Sequence, residues 1–296
     1  MFEGFRRGTF ATPMAGGAGH INYVVAGSGP PMLLLHGHPQ SHIMWHIVAP
    51  RLAATRTVVC ADLRGYGDSA KPAGDARHEN YSKRAMAADM VALMAHLGFP
   101  RFDLVGHDRG GRVGQRLCLD DPDAVARFMP VDIAPTLAIY EGTNLELATR
   151  YFHWFFLIQA HPFPENLISH DIDFYLPWML GQRWGAPIVH TAEAQAEYLR
   201  CAKLPGAIHA MCEDYRASAS IDLDHDRADL AAGRRIACPV RAVWSKGGVI
   251  DRMFDPIRTF QPYCALPVTG AAIPGGHYLA EESPDELTRE IADFFG

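Results

Sequence analysis

The stretch Val105-Gly106-His107-Asp108-Arg109-Gly110-Gly111 follows a short apolar run and opens a helical pattern. Glycines stand two residues before and two residues after Asp108, where they leave room around a strained residue at the end of a strand. Such a strand–turn–helix junction, a nucleophile elbow, exposes its central side chain to substrate. The helix dipole favours the charged form of a carboxylate there, so Asp108 could attack without a general base. From this motif alone, an aspartate that only caps the helix is equally open.

Around this stretch, short β-rich runs alternate with helical patterns, which predicts an α/β fold with a mostly parallel sheet flanked by helices. Between the third and fourth of these runs, apolar residues at helical spacing predict a helix over Lys83–Leu97, with Ser82 as its N-terminal cap. The predicted strands are Ile21–Ala26, Met32–Leu35, Thr57–Ala61, Asp103–Val105, Phe128–Ile133, Arg241–Trp244 and Gly270–Ile273.

The pattern changes after Pro135. From residue 136 to residue 233 the chain is rich in aromatic residues and poor in β-branched runs, and strand patterns resume at Val240. We therefore expect a helical cap over 136–233. It would be inserted between a first part of the sheet domain, 1–135, and a second part, 234–296.

Three further turns carry residues suited to catalysis. The turn Leu35-His36-Gly37-His38-Pro39 follows a strand and can offer the backbone N–H of His38 to an oxyanion hole, with the N–H of Arg109 as the second donor. The other two turns are Asp62-Leu63-Arg64-Gly65-Tyr66-Gly67-Asp68-Ser69 and Pro274-Gly275-Gly276-His277. All four motifs, in this order and along essentially the whole chain, resemble the α/β-hydrolase superfamily. The resemblance implies its fold and a catalytic role for His277.

Two arginines distinguish this elbow. Arg109 follows Asp108 directly and Arg112 lies one helical turn further, so both guanidinium groups can face the nucleophile. Paired arginines suit a small carboxylate substrate, which they would hold by charge-assisted hydrogen bonds. The stretch from Asp108 to Arg112 is similar to that of haloacetate dehalogenases, the fluoroacetate-cleaving group included.

The resemblance to haloacetate dehalogenases extends into the expected cap. It implies that His153, Trp154 and Tyr215 donate hydrogen bonds to a departing halide. Such donors fit the chemistry, because fluoride is small, strongly hydrated and a poor leaving group unless stabilised. Taken singly, each side chain is also explained by packing, and only the arginine pair favours the functional interpretation. His38 stands where this family often has an aromatic residue.

The acid that orients His277 has two candidates. Asp132 follows the strand after the elbow and matches the acid position of the family that the chain resembles, whereas Asp251 lies in the loop after Trp244. A lone charge at the end of a buried strand is costly unless it is paired, which favours Asp132. Asp251 and Asp255 are expected in a solvated loop or as helix caps.

The expected reaction has two steps and uses no cofactor. Asp108 displaces halide from the substrate carbon and becomes an ester, while Arg109 and Arg112 hold the substrate carboxylate. His277, oriented by Asp132, then activates water to hydrolyse the ester and release a 2-hydroxy acid.

The bulk properties restrict the partners. The formal charge of −6 comes without a dense basic run, which argues against nucleic acid and anionic membranes as partners. Six scattered cysteines indicate reduced thiols, and no apolar run follows Arg6 and Arg7, so we expect a cytoplasmic protein without a signal peptide. A small haloacid is the expected partner, and the resemblance implies a homodimer.

Three alternatives compete with the dehalogenase interpretation. His36 and His38, with His42 and His46 nearby, resemble the start of a metallo-hydrolase motif, but the carboxylate and histidine that should follow are Gln40 and Ser41, so no metal is expected. An epoxide hydrolase would use the same aspartate and histidine with cap tyrosines, but it gives the arginine pair no role. A non-catalytic binding protein could keep the fold, although the full set of catalytic residues argues against it. The cap tyrosines available to an epoxide hydrolase are Tyr151, Tyr175, Tyr198 and Tyr215.

Overall fold

The computed structural model describes residues 1–14, 17–181 and 189–296, and within them an eight-stranded sheet forms the centre of the molecule. Its strand order is β1-β2-β4-β3-β5-β6-β7-β8. Strands β3 to β8 are parallel to one another, while β2 pairs antiparallel with both β1 and β4. The strands are β1 (Arg6–Met14), β2 (Gly17–Ala26), β3 (Pro31–Leu35), β4 (Thr57–Ala61), β5 (Phe102–His107), β6 (Val125–Val131), β7 (Arg241–Ser245) and β8 (Thr269–Ile273).

Helices flank this sheet, as the sequence predicts. The helix α2 begins after Ser82, whose Oγ accepts a hydrogen bond of 3.1 Å from the backbone N–H of Ala85. The helices of the described residues are α1 (Val48–Leu52), α2 (Lys83–His96), α3 (Arg109–Asp120), α4 (Thr136–Glu141), α5 (Leu145–Arg150), α6 (Phe152–Phe156), α7 (Phe163–His170), α8 (Ile172–Met179), α9 (Ala192–Ala202), α10 (Ala207–Ser218), α11 (Ile221–Ala231), α12 (Val249–Met253), α13 (Pro256–Phe260), α14 (Leu279–Glu282) and α15 (Pro284–Phe295), with short 3-10 turns at His42–Trp45, Glu79–Tyr81 and Gln261–Tyr263.

The central strands are apolar on both faces. Every residue of β5 is buried, and β3 and β4 are buried except at their first residues. Parallel strands require this pattern because helices cover both sides of the sheet. The continuous apolar runs of these strands are what predicts them from the sequence.

The strand β1 was not predicted. It pairs with β2 along its whole length, from Arg6 opposite Val25 to Met14 opposite Gly17, yet most of its residues are at least partly exposed. Edge strands commonly carry charged side chains, which discourage pairing with another chain. Its sequence, which begins with Arg6 and Arg7, therefore lacks the apolar pattern that reveals a central strand.

The segment from 136 to 233, called here the helical segment, joins β6 to β7. Its described residues form helices α4 to α11 and no strand. Within it, α10 packs against α7, α9 and α11. The division of the chain into 1–135, 136–233 and 234–296 as core, cap and core stays a prediction. Across the described ranges, no helix has the length and apolar character needed to cross a membrane.

The carboxyl ends of four parallel strands carry the predicted catalytic motifs. His38 follows β3, Asp108 follows β5, Asp132 follows β6 and His277 follows β8. The chain order reverses between β3 and β5, since β4 lies on one side of this pair and β6 on the other. Ligands of open α/β sheets bind at such a reversal, so the fold brings His38 and Asp108 together at the expected binding edge.

Candidate active site

Asp108 occupies a strained turn between β5 and α3. Its φ of 46° and ψ of −113° lie outside the regions that ordinary residues prefer. The backbone passes so closely that a Cβ on Gly106 would stand 2.5 Å from the carbonyl oxygen of Gly110, and one on Gly110 would stand 2.6 Å from that of His36. The Asp108 side chain makes no capping hydrogen bond to α3, so it is free of the helix-capping role that the motif had left open.

The Asp108 carboxylate is buried yet ionised. Its Oδ1 accepts a hydrogen bond of 2.9 Å from the backbone N–H of His38, and its Oδ2 lies 4.0 Å from Nε2 of His277. Burial raises the pKa of this group, but the charges of His277 and Arg112 outweigh it and hold the pKa below the usual range. The second expected donor, the backbone N–H of Arg109, makes no hydrogen bond to this carboxylate within the described residues.

Among the described residues, the carboxylate that faces Nδ1 of His277 belongs to Asp132, and Asp251 has other partners. Nδ1 of His277 lies 2.6 Å from Oδ2 of Asp132, whose Oδ1 accepts a hydrogen bond of 2.9 Å from the backbone N–H of Ser245. Asp132 has a φ of 50°, so β6 ends one residue before it and not at Ile133 as predicted. Asp251 instead accepts hydrogen bonds from Nε1 of Trp244 and from the backbone N–H of Gly247, which lies just before α12. His277 therefore lies between two carboxylates, with Nδ1 facing Asp132 and Nε2 facing Asp108.

A further histidine, His107, contacts His277. It was not predicted from the sequence to be a site residue. Its Nε2 lies 2.7 Å from the backbone oxygen of His277, and the two rings are 4.7 Å apart. Burial and the nearby His277 lower the pKa of His107 to about 3, so its ring is neutral and donates Nε2–H to that oxygen. The residue directly before Asp108 thus holds the backbone of His277 in place.

The two arginines of the elbow are buried and converge on Trp154. The Cζ atoms of Arg109 and Arg112 lie 5.7 Å and 4.5 Å from the centre of its ring. Arg112 donates from Nη1 to the carbonyl oxygen of Ala134 at 2.6 Å and to Oγ1 of Thr136 at 3.3 Å. In the part of the chain that the structure describes, Arg109 Nη1 and Arg112 Nε have no hydrogen-bond partner. Buried donors of this kind are suited to an anionic ligand.

The side chains predicted to bind halide lie together beside Asp108. The ring of Tyr215 is 5.7 Å from His153, 5.8 Å from Trp154 and 5.1 Å from His38, measured between ring centroids. All four residues are buried. The backbone of His38 is bonded to Asp108, so this aromatic cluster forms a wall of the same site.

A cavity of about 180 Å³ lies beside His277. Its lining includes Asp132, His277, Arg150 and Arg252. Both arginines lie 3.4 Å from the same carboxylate oxygen of Glu146, so two positive charges share one negative charge there.

The histidines of the metal alternative have other partners. Nε2 of His36 accepts a hydrogen bond from the backbone of Leu63, and His42 Nδ1 lies 2.9 Å from Asp62. Elsewhere in the described ranges, one group has ligand atoms close enough to hold a metal: His161, Glu165 and His209. Arg216 lies 2.7 Å from the same Glu165 oxygen that faces both of those histidines, and its positive charge disfavours a cation there.

Comparison with known proteins identifies relatives along the whole chain. A family model described as α/β hydrolase fold matches residues 30–186. Fluoroacetate dehalogenase from Burkholderia sp. is 45% identical over 99% of this chain and 95% of the relative. Soluble epoxide hydrolase from Corynebacterium sp. (strain C12) is 36% identical over 93% of each chain. A solved structure from Nostoc sp. PCC 7120, described as an α/β hydrolase, superposes with a TM-score of 0.93 at 47% identity, covering 100% of this chain and 99% of the other.

Proposed function

Since this chain belongs to the haloacetate dehalogenase family of the α/β-hydrolase superfamily, we propose that it hydrolyses the carbon–halogen bond of haloacetates, fluoroacetate among them, to glycolate and halide. The observation that carries the proposal is an ionised, buried Asp108 beside two buried arginines with donors to spare. A carboxylate nucleophile suits displacement at a saturated carbon, and the arginines suit the carboxylate of the substrate.

In the first step, Oδ2 of Asp108 attacks the carbon that bears the halogen. A new carbon–oxygen bond forms, and the electrons of the carbon–halogen bond leave with the halide. Arg109 and Arg112 hold the substrate carboxylate, and His153, Trp154 and Tyr215 stabilise the halide. Oδ1 of Asp108, bonded to the His38 backbone, becomes the carbonyl oxygen of the ester.

In the second step, Nε2 of His277 takes a proton from water, which attacks the carbonyl carbon of the ester. Asp132 stabilises the imidazolium through its bond to Nδ1. The negative charge that develops on Oδ1 meets the N–H of His38 and, in this proposal, that of Arg109. The ester bond breaks, glycolate leaves with the proton from His277, and Asp108 releases one proton to solvent as it regains its charge.

The helical segment acts in this proposal as a cap that supplies the halide donors. His153 and Trp154 lie on α6 and Tyr215 lies on α10, whereas the nucleophile and its histidine follow strands of the sheet. The site therefore needs both parts of the chain. We also retain the cytoplasmic homodimer as a proposal from the family resemblance.

Halide release from fluoro-, chloro- and bromoacetate, measured beside a panel of epoxides, tests this function. We expect halide and glycolate from the haloacetates, and no halide from the Asp108→Ala variant under the same conditions. Diol formation from epoxides without halide release would instead establish the alternative that the relative from Corynebacterium suggests, an epoxide hydrolase. Tight binding of haloacetate without any turnover would indicate a non-catalytic binding protein.

A further inference from the structure

The guanidinium group of Arg109 is fixed along one edge by a single acidic residue of α10. Nε of Arg109 lies 2.8 Å from Oδ2 of Asp214, and Nη2 lies 2.7 Å from Oδ1 and 2.8 Å from the backbone oxygen of the same residue. Nη2 also donates to Oγ of Ser218, one turn further along α10. Three of the five N–H bonds of the guanidinium are thus committed, and the two on Nη1 remain.

Asp214 is itself held by other donors. Its Oδ2 accepts a hydrogen bond of 2.6 Å from the hydroxyl group of Tyr66, and its Oδ1 is paired with Nζ of Lys83 at the start of α2. Asp214 and Arg109 are fully buried, and Lys83 and Tyr66 nearly so. Burial opposes the charge of Asp214, but Arg109 and Lys83 hold its pKa below the usual range.

The charges of this cluster balance. Asp222 lies 3.5 Å from Nζ of Lys83, so Arg109 and Lys83 face Asp214 and Asp222. A buried charge is costly unless it is paired, and here each cation has an acid. Arg112 differs, because the acid whose charge acts on it is Asp108, which loses that charge when the ester forms.

Asp214 also stands next to Tyr215 on α10. The Cζ of Arg109 lies 4.2 Å from the centre of the Tyr215 ring, so the guanidinium stacks on the residue that is proposed to bind halide. One turn of α10 therefore sets the position of both the arginine and the tyrosine.

We propose that Asp214 is a positioning residue for substrate binding: it holds the Nε and Nη2 edge of Arg109 so that Nη1 is presented to the substrate carboxylate. The inference rests on the proposed function and adds a residue that does not touch substrate. Lys83 and Tyr66 keep the Asp214 carboxylate in place, and Ser218 completes the grip on Nη2.

The Asp214→Asn variant tests this role. An amide keeps the size of the side chain but directs an N–H group at one of the donors, so the edge of Arg109 loses part of its hold. We expect binding of glycolate, an unreactive carboxylate, to weaken by about 10- to 100-fold, with a similar rise in KM for chloroacetate. Turnover of chloroacetamide, which has no carboxylate, is expected to change by less than about threefold.

Asp222→Asn is the matched control. It removes a buried acid from the same Lys83 without touching Arg109, and we expect glycolate affinity to stay within about threefold of the parent. Ser218→Ala removes one acceptor from Nη2 without altering any charge and keeps the test available if Asp214→Asn does not fold. It is expected to weaken glycolate binding by about two- to fivefold.

The outcomes separate this inference from the function on which it rests. A parent enzyme that releases no halide from any haloacetate would overturn the proposed function and this inference with it. An active parent whose folded Asp214→Asn and Ser218→Ala variants keep the parental glycolate affinity would overturn the inference alone, because Asp214 would then serve only stability. Equal losses in Asp214→Asn and Asp222→Asn would also contradict it.

Discussion

In the proposed reaction, the anion that balances the charge of Arg112 changes from Asp108 to the substrate carboxylate. Before substrate binds, the charge of Asp108 acts on Arg112, and the substrate adds a second negative charge to the same cation. Ester formation neutralises Asp108 and sends one negative charge away with the halide. Arg112 is then matched by the substrate carboxylate alone, so the first step relieves repulsion between two anions.

Replacing His277 by Asn is expected to separate the two steps. The displacement needs only the ionised Asp108 and runs once, whereas ester hydrolysis needs the base on His277. Mass spectrometry of the variant after incubation with chloroacetate should show a covalent adduct on Asp108, and the Asp108→Ala variant should show none. A folded, inactive His277→Asn enzyme without adduct would mean that His277 acts in the first step.

The effect of replacing Arg112 on kcat/KM is expected to depend on the charge of the substrate. The Arg112→Ala change should cost about 2–5 kcal/mol of transition-state binding with chloroacetate, as for loss of one partner of a buried charge pair. The parent enzyme should use chloroacetamide poorly, and this penalty should shrink in the variant. Measuring kcat/KM for both enzymes with both substrates gives a double-mutant-style cycle, in which the charge of the substrate is one of the two changes. Additive losses would show that Arg112 does not contact the carboxylate.

The residue roles differ in how far the sequence alone predicts them. Asp108, Asp132 and His277 each follow a strand, so their positions could be read from the order of the motifs, and the structure brings them together. Asp214 and His107 have no such signal. Asp214 lies 105 positions from Arg109, and only the packing of α10 against the elbow reveals the pair. His107 stood inside the motif, but its partner is a backbone oxygen, which no sequence pattern encodes.

Among the elements, the buried central strands were predicted and one exposed edge strand was not. The strand β4 has the predicted bounds, while the exposed edge strand β1 was missed. The end of β6 was placed two residues too late, because the turn at Asp132 is set by its tertiary bonds to Ser245 and His277 and not by local preference.

A charged histidine, His190, links α14 to the backbone of Leu180. Nδ1 of His190 lies 2.8 Å from Glu281 on α14, and Nε2 lies 3.0 Å from the backbone oxygen of Leu180. Both partners are acceptors, so both ring nitrogens must carry protons. Burial lowers the pKa of His190, but the bond and charge of Glu281 outweigh it and raise the pKa above the usual value.

A raised pKa in the folded state gives stability that is complete below the unfolded value of about 6.5 and is lost as pH rises through the folded value. The His190→Gln variant should therefore lose about 3 kcal/mol of unfolding free energy at pH 6, and less at pH 9. Urea denaturation across this range measures the difference, with the exposed His170→Gln as control. Parallel curves for parent and His190→Gln would contradict a charged His190.

The whole molecule has a net charge of −6, whereas the proposed substrate is an anion. The cavity beside His277 has Arg150 and Arg252 in its lining, and both arginines share Glu146 as a partner. Guanidinium groups in the lining attract small anions, and salt screens this attraction.

The Arg252→Gln variant should therefore raise KM for chloroacetate by about two- to fivefold at low ionic strength and have little effect at high salt. Arg258→Gln, an exposed change of equal charge outside the cavity lining, serves as the control. Neither variant should change KM for chloroacetamide, which has no charge. A KM that responds equally to both substitutions would assign the effect to net charge and not to the cavity.

A single turnover in heavy-oxygen water tests the aspartyl-ester mechanism most directly. With enzyme in excess over chloroacetate, water attacks the carbonyl carbon of the ester, so one heavy oxygen should enter the Asp108 carboxylate and the glycolate should stay unlabelled. Peptide mass spectrometry locates the label in the peptide that contains Asp108. Label in the glycolate and none in Asp108 after the first turnover would show that water attacks the substrate directly, and the carboxylate would then not be the nucleophile.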